Sequence, residues 1–216
     1  MAEIGAEIEA ETLADRAVRR AVAAKEATAR AEVQRLLDAT LTLVRRDGGR
    51  NVPRVADIVT EAGLSNQAFY RHFTGRDELL AAVAEAGAIR LVSYLAHQMA
   101  KESDPRAQIR RWIEGVMAQA AKPDVADETR AVTMSGRRGL GLTQRSDPLT
   151  AARDLLLEPL RALDTDDPER DAAVLAAAVF DRLEYHLRVR PPSRADITHL
   201  VGFCLRAVTP DATASR

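Results

Sequence analysis

A single glycine between two short, apolar-patterned segments constrains this chain most. Val55, Ile58, Val59 and Ala62 share one helix face, and that run stops at Gly63. Ser65 then caps a second short helix that runs to Phe73. Two short helices joined by a tight glycine turn predict a helix-turn-helix. Gly63 suits the turn because one residue there must adopt a left-handed conformation at little steric cost. Ile58, Ala62, Leu64 and Phe69 are expected to lock the pair onto a preceding helix. That helix shows the face Val33, Leu36, Leu37, Thr40, Leu41 and Val44, and stops at Asp47-Gly48-Gly49. The second helix of the pair is left with its N-terminus outward, where free N–H groups and a positive dipole suit phosphate. Side chains at that end reach base edges in a major groove. Asn66 and Gln67 stand there, and both amides can pair bidentately with adenine.

The charge distribution agrees with a polyanion partner. The net charge is -1, but it is unevenly spread. Residues 1–15 carry Glu3, Glu7, Glu9, Glu11 and Asp15 with no basic residue. Residues 16–54 carry ten basic residues against Glu26, Glu32, Asp38 and Asp47, a net of +6. A solvated helix face is the plain alternative for that run. No apolar run approaches bilayer length, and the acidic N-terminus lacks the order of a signal peptide. Cys204 is the single cysteine, so no intramolecular disulfide is expected. A cytoplasmic protein with no membrane partner follows as the expectation.

Past residue 73 the punctuation continues to favour helices. Thr74, three before Asp77, predicts a capping box opening a long helix through Leu79, Leu80, Val83, Leu91 and Leu95. Asp104-Pro105, Asp147-Pro148 and Asp167-Pro168 each set a capping Asp before a Pro suited to a first turn. Ile109, Trp112, Ile113, Val116 and Met117 share a face, and Leu149, Leu156, Leu160 and Leu163 predict a further helix kinked by Pro159. Val174, Leu175, Ala178, Val179 and Leu183 mark another. Ser193 with Asp196 caps the last, whose stripe is Ile197, Leu200, Val201, Cys204, Leu205 and Val208. The fold class is all-α, with four parts. Residues 1–29 form a helical or partly disordered arm and 30–76 the helix-turn-helix unit. Residues 77–210, entered by the long helix, form a ligand-binding and dimerisation bundle, and 211–216 a tail.

The stretch "AGLSNQAFYRHFTGRDELLAAV" resembles the tetracycline-repressor (TetR) family of bacterial regulators, over about residues 33–83. The Tyr-x-His-Phe ending, a basic residue and then Leu-Leu carry the resemblance. It implies a sequence-specific transcriptional regulator, a repressor released by a small molecule, acting as a homodimer on a double-stranded DNA operator. It places Ser65, Asn66, Gln67 and Ala68 where bases or nearby phosphates are met. Tyr70, His72 and Arg76 fall at phosphate positions, and Arg54 is a further phosphate candidate. Arg50, Pro53, Val59 and Ala68 depart from the family pattern. The basic arm, with Arg16, Arg19, Arg20, Lys25 and Arg30, then reads as lying along the backbone or reaching a minor groove. The dimer interface is expected on 168–188 and 193–208, where Ala172, Ala173, Ala176 and Ala177 allow close approach.

Other chemistry is weaker. No catalytic constellation surrounds any histidine, so an enzyme is not expected. Asp181, Glu184 and His186 do not make a metal site, because i to i+5 turns about 140° away from the starting face. No metal and no cofactor are expected. "GRRGLG", Gly136 to Gly141, lacks the Lys-Ser/Thr ending and the preceding strand of a phosphate loop. Cys204 lies on an apolar stripe and reads as a buried hydrophobe. Tyr94, Met99, Trp112, Met117, Met134, Phe180, Glu184 and Tyr185 are the candidates to line an effector cavity, with plain core as the alternative for each. A regulator controlled by a protein partner in place of a small molecule is the alternative function.

Overall fold

The computed structural model describes residues 12–48, 51–123, 125–127, 129–130, 133 and 148–208, and these are all-helical or connecting backbone. The expectations for Met134, the 136–141 loop, Asp147, Arg50 and the two ends of the chain fall outside them. The elements are α1 (Leu13–Arg46), α2 (Val55–Ala62), α3 (Asn66–His72), α4 (Arg76–Met99) and α5 (Pro105–Ala121). After them come α6 (Pro148–Asp154), α7 (Leu157–Ala162), α8 (Pro168–Arg188) and α9 (Arg194–Ala207).

Local chemistry explains most boundaries. Thr12 and Asp15 form a capping box at the start of α1. The Asp104 carboxylate accepts from the Ala107 N–H at 3.0 Å, and Asp167 accepts from the Arg170 N–H at 3.0 Å, each ahead of a Pro in the first turn. Ser193 and Asp196 close a reciprocal box at α9. At α4 the pairing differs from the sequence expectation. Glu78, not Asp77, takes both the backbone N–H and the hydroxyl of Thr74, each at 2.6 Å, because the helix starts at Arg76 and not one residue earlier. Pro159 breaks its helix outright and does not merely kink it. With no N–H at Pro159, the carbonyl four residues earlier loses its partner, and the chain divides into α6 and α7 around Leu155–Leu156.

Two cores result. The first joins Leu36, Ala39 and Leu41 of α1 to Ile58, Val59 and Ala62 of α2, to Phe69 and Phe73, and to Leu79 and Val83 of α4. The second packs Leu95 and Met99 of α4 with Ile109, Trp112, Ile113, Val116 and Met117 of α5 and with α6 to α9. Helix α4 therefore runs from one core into the other. It is also long and apolar enough to cross a membrane on length and composition alone, with a mean hydropathy of 1.6 over 18 residues. This corrects the expectation that no such run exists. Its alanines raise the hydropathy, while the residues that sit inside the protein are Leu79, Leu80, Val83, Leu95 and Met99.

The apolar stripe of α9 is spent within the chain. Leu200, Val201, Cys204 and Val208 are buried in the second core, where α9 packs on α5. Ala172 and Ala176 are buried in the same core, whereas Ala173 and Ala177 face outward. The expected close-approach alanines thus divide by face, since positions four apart on a helix share one side.

A part-buried arginine ties the two units together. Arg130 donates from Nε to the Leu187 carbonyl at 2.8 Å and from a terminal nitrogen to the Gly48 carbonyl at 3.2 Å. It also pairs with Asp127.

At the α8–α9 junction Arg190 and Ser193 hold the Asp196 carboxyl far below the ordinary carboxylate range, with the Arg190 hydrogen bond the largest cause. A carboxylate depressed in the folded state adds stability above its unfolded value, about 3.9, and loses it as pH falls through the folded value. Asp196→Asn is therefore expected to lower Tm at pH 7, with a gap from the parent that closes only in strong acid. Thermal melts across pH read this directly. A gap that does not narrow at all as the pH falls from neutral into strong acid would remove the pair from the stability balance.

Candidate nucleic-acid interface

The turn between α2 and α3 is built as its glycine demands. Gly63 has φ 61° and ψ 39°, the left-handed region. A Cβ there would also meet the Arg35 guanidinium at 3.0 Å. Arg35 reaches from α1 to donate to the carbonyls of Ala62 and Gly63, satisfying the free end of α2. Ser65 caps α3, its hydroxyl accepting from the Ala68 N–H at 3.1 Å.

Only seven residues long, α3 is held by three inward side chains. Phe69 is fully buried, Phe73 is 7% exposed and Ala68 is 4% exposed. The aromatic rings pack tightly, Phe69 to Phe73 at 5.8 Å and Phe69 edge-on to Tyr70 at 5.1 Å. Ala68 was expected among the contact residues. Its methyl is instead buried, while its backbone N–H donates to the capping Ser65 hydroxyl.

The outward side carries Ser65, Asn66, Gln67, Tyr70 and Arg71, all exposed. Arg71 was missed by the sequence reading. Its spacing of four from Gln67 puts both on one face, and that spacing was the available signal. Below α3 an open hollow of about 560 Å³ is lined by Arg54, Val55, Tyr70, Thr74, Gly75, Arg76, Asp77 and Glu78. It brings Arg54, Tyr70 and Arg76 together beside the start of α4, where Gly75 offers no side-chain cap. Two guanidinium groups and a phenol meet there, with the Asp77 carboxylate 3.6 Å from Arg76 and the Glu78 carboxylate on Thr74.

His72 is placed differently from the sequence expectation of a phosphate contact. Its ring is 11% exposed, and its Nε2 lies 2.6 Å from the Glu32 carboxylate on α1. Arg71 lies 3.8 Å from the same carboxylate. The Glu32 carboxyl is held below its ordinary range chiefly by the His72 hydrogen bond, and further by the charge of Arg71.

From residue 13 to residue 28, α1 is exposed along its whole surface. Continuity with the packed half supplies the nucleus that an isolated helix of this length lacks. At 100° per residue, Arg16, Arg19, Arg20 and Arg30 fall within about 100° of one another, opposite the side that continues toward Leu36 and Thr40.

The expected effector-lining residues are dispersed. Trp112 and Met117 are 0% and 1% exposed and Met99 is 6% exposed. They are core, and the Trp112 indole N–H donates to the Ala152 carbonyl at 2.7 Å. Phe180 is half-buried with its ring 5.6 Å from Trp112. Tyr94 and Tyr185 are exposed on the surface, Tyr185 under the Arg182 guanidinium, and Glu184 pairs with Arg188. Among the described residues no cluster of His, Cys, Asp and Glu could hold a metal.

Residues 36–83 match the family described as bacterial regulatory proteins, tetR family. That span runs from the last third of α1 to the first two turns of α4. No protein of curated function matches the chain. Among solved structures, RolR in complex with resorcinol is similar, with a TM-score of 0.59 and 19% identity over 84% of this chain and 89% of that one. A TetR family transcription regulator from Marinobacter aquaeolei VT8 has a TM-score of 0.55 and 16% identity, covering 82% and 95%. The fatty acid degradation regulator FadR from Bacillus halodurans has a TM-score of 0.55 and 16% identity, covering 84% and 96%. Identities this low establish the shared fold.

Proposed function

We propose that this chain, which belongs to the tetR family of bacterial regulatory proteins, is a cytoplasmic, homodimeric repressor released from its operator by a small molecule. The observation that carries the DNA-binding part is the division of α3. Ala68, Phe69 and Phe73 fix it from within, and Asn66, Gln67 and Tyr70 are left facing out. Asn66 and Gln67 read base edges, Ser65 adds its hydroxyl at the capped end, and Tyr70, Arg54 and Arg76 take phosphates at the hollow. The arginine face of the α1 arm adds phosphate contacts outside the operator core. Of the two expected arm modes, lying along the backbone or reaching a minor groove, the exposed strip of arginines on one side of α1 supports the first.

Two recognition helices must enter successive major grooves, which calls for a symmetric dimer. Ala173, Val174 and Ala177 on α8 and Phe203 on α9 face outward, with Val174 71% and Phe203 55% exposed, and support a joint there. Release runs through α4, whose two ends lie in different cores. A molecule that binds better to a shifted bundle moves α4, and with it the start of α3's neighbour turn at Thr74. RolR, with a like fold, holds resorcinol, and Phe180 beside Trp112 is the expected lining residue best placed to meet an effector. The packed state of Trp112, Met99 and Met117 favours a second reading, control by a protein partner.

Selection of bound duplexes from random DNA tests the reading. The expected product is a near-palindrome with half-sites about one helical turn apart. Gln67→Ala should blur base preference at one position by about 1–3 kcal/mol. Tyr70→Phe and Arg76→Ala should weaken all duplexes alike, and a chain starting at residue 30 should show a flatter salt dependence. No enriched sequence would overturn the reading. An unchanged salt slope would remove only the arm, and an effector that tightens operator binding would remove only the release mechanism.

A further inference from the structure

We infer that Arg35 is a positioning residue: from α1 it holds the turn that aims the base-reading end of the recognition helix α3. The inference rests on the DNA-binding reading above. Arg35 donates from Nε to the Ala62 carbonyl at 2.9 Å, and Nη2 donates to the same oxygen. Nη2 donates again to the Gly63 carbonyl at 2.8 Å. A single fork, planar and fixed in shape, thus grips two successive carbonyls where α2 ends and the turn to α3 begins. The guanidinium also lies against Gly63, since a Cβ there would meet Nη2 at 3.0 Å. The residue next to it on α1, Leu36, is fully buried in the first core, so the fork stands on a fixed base.

The two ends of α3 are held by different means. From Ala68 onward it is fixed by buried side chains, Ala68, Phe69 and Phe73. Asn66 and Gln67, before them, are exposed and follow directly on the turn. The turn's own backbone bonds, Gly63 N–H to the Thr60 carbonyl and Leu64 N–H to the Val59 carbonyl, tie it to α2. Arg35 ties it to α1, across 27 and 28 residues. Losing that tie leaves the anchors of α3 in the core and lets its near end shift. An amide that reads a base must make two hydrogen bonds at once, and these weaken steeply with distance and angle. Attraction to phosphates is sequence-independent and has no such geometric demand. A shifted turn therefore lowers the sequence-dependent part of DNA affinity and leaves the common part in place.

The test uses the full chain, the selected operator and a random duplex of equal length, with anisotropy titrations over a range of salt. Arg35→Lys keeps the charge and loses the planar fork. It is expected to bind the operator roughly 5–20-fold more weakly, the scale of one impaired bidentate base contact. Random binding and the salt slope should stay at the parental values, because the charge is kept. Arg35→Met, with a long stem and no donor, should lower the operator-to-random ratio at least as far. Selection with Arg35→Lys should show blurred preference at the positions read by both Asn66 and Gln67, where Gln67→Ala blurs one. In a chain already carrying Asn66→Ala and Gln67→Ala, Arg35→Lys should lower the ratio no further. A ratio unchanged in both Arg35 variants overturns the inference. So does an equal loss of both affinities with a lowered Tm, which would make Arg35 a support of the fold alone. A further fall of the ratio in the double-alanine chain also overturns it, since Arg35 would then act through something other than the two readers. A parent chain that prefers no duplex overturns the DNA-binding reading itself, and the parental titrations alone show this.

Discussion

The Phe69→Ala variant is expected to lose about 3–5 kcal/mol of stability and, with it, sequence-specific DNA binding. Phe69 is fully buried at the centre of the first core, between Leu36, Ile58, Ala62, Phe73 and Leu79. Helix α3 has seven residues, too few to stand as a helix without tertiary support. Removing its largest anchor leaves a cavity and frees the helix that must present Asn66 and Gln67. Phe69→Leu refills most of that volume and should retain more than half of the lost stability. Circular dichroism melts and operator titrations of both variants check this. Operator affinity for Phe69→Ala within threefold of the parent would show that α3 is held by something else.

Trp112→Ala should be the most damaging change in the bundle, again about 3–5 kcal/mol from the cavity alone. The indole is 0% exposed, stacks edge-on to Phe180 at 5.6 Å and donates to the Ala152 carbonyl at 2.7 Å. Losing the donor leaves that carbonyl buried and unpaired, a further cost of about 1–3 kcal/mol. Trp112→Phe isolates this second contribution, since the ring remains and the N–H does not. For a chain of this length the Ala variant's Tm should drop by roughly 6–20 °C. The parent can be followed by intrinsic fluorescence, as Trp112 is the sole tryptophan. A melting temperature within about 2 °C of the parent would mean the bundle is not organised around α5.

What the sequence shows and hides divides by distance along the chain. The left-handed Gly63, the Ser65 cap, the Asp104 and Asp167 caps and the Ser193–Asp196 box all act over three or four residues, and each was legible. So were Phe69 and Phe73 as anchors. His72 was not, because the group that claims it lies forty residues away on another helix. Arg35 closing the end of α2 is hidden for the same reason, at a separation of 27 or 28 residues. The stripe of α9 was visible as apolar, but periodicity states only that a face is covered. Whether α5 or a second chain covers it depends on packing, and here α5 takes it. Trp112 and Met117 show the same limit, because a core wall and a cavity wall have the same composition.

The Arg130 fork gives the two halves of the protein a threshold. Its guanidinium is planar and its nitrogens are fixed relative to one another, so the carbonyls of Gly48 and Leu187 cannot drift apart while both stay bonded. Hydrogen bonds of this kind weaken steeply outside a narrow range of distance and angle. One planar group thus clasps the end of α8 and the turn after α1 at once, and a displacement that carries either carbonyl out of that range is expected to release the clasp.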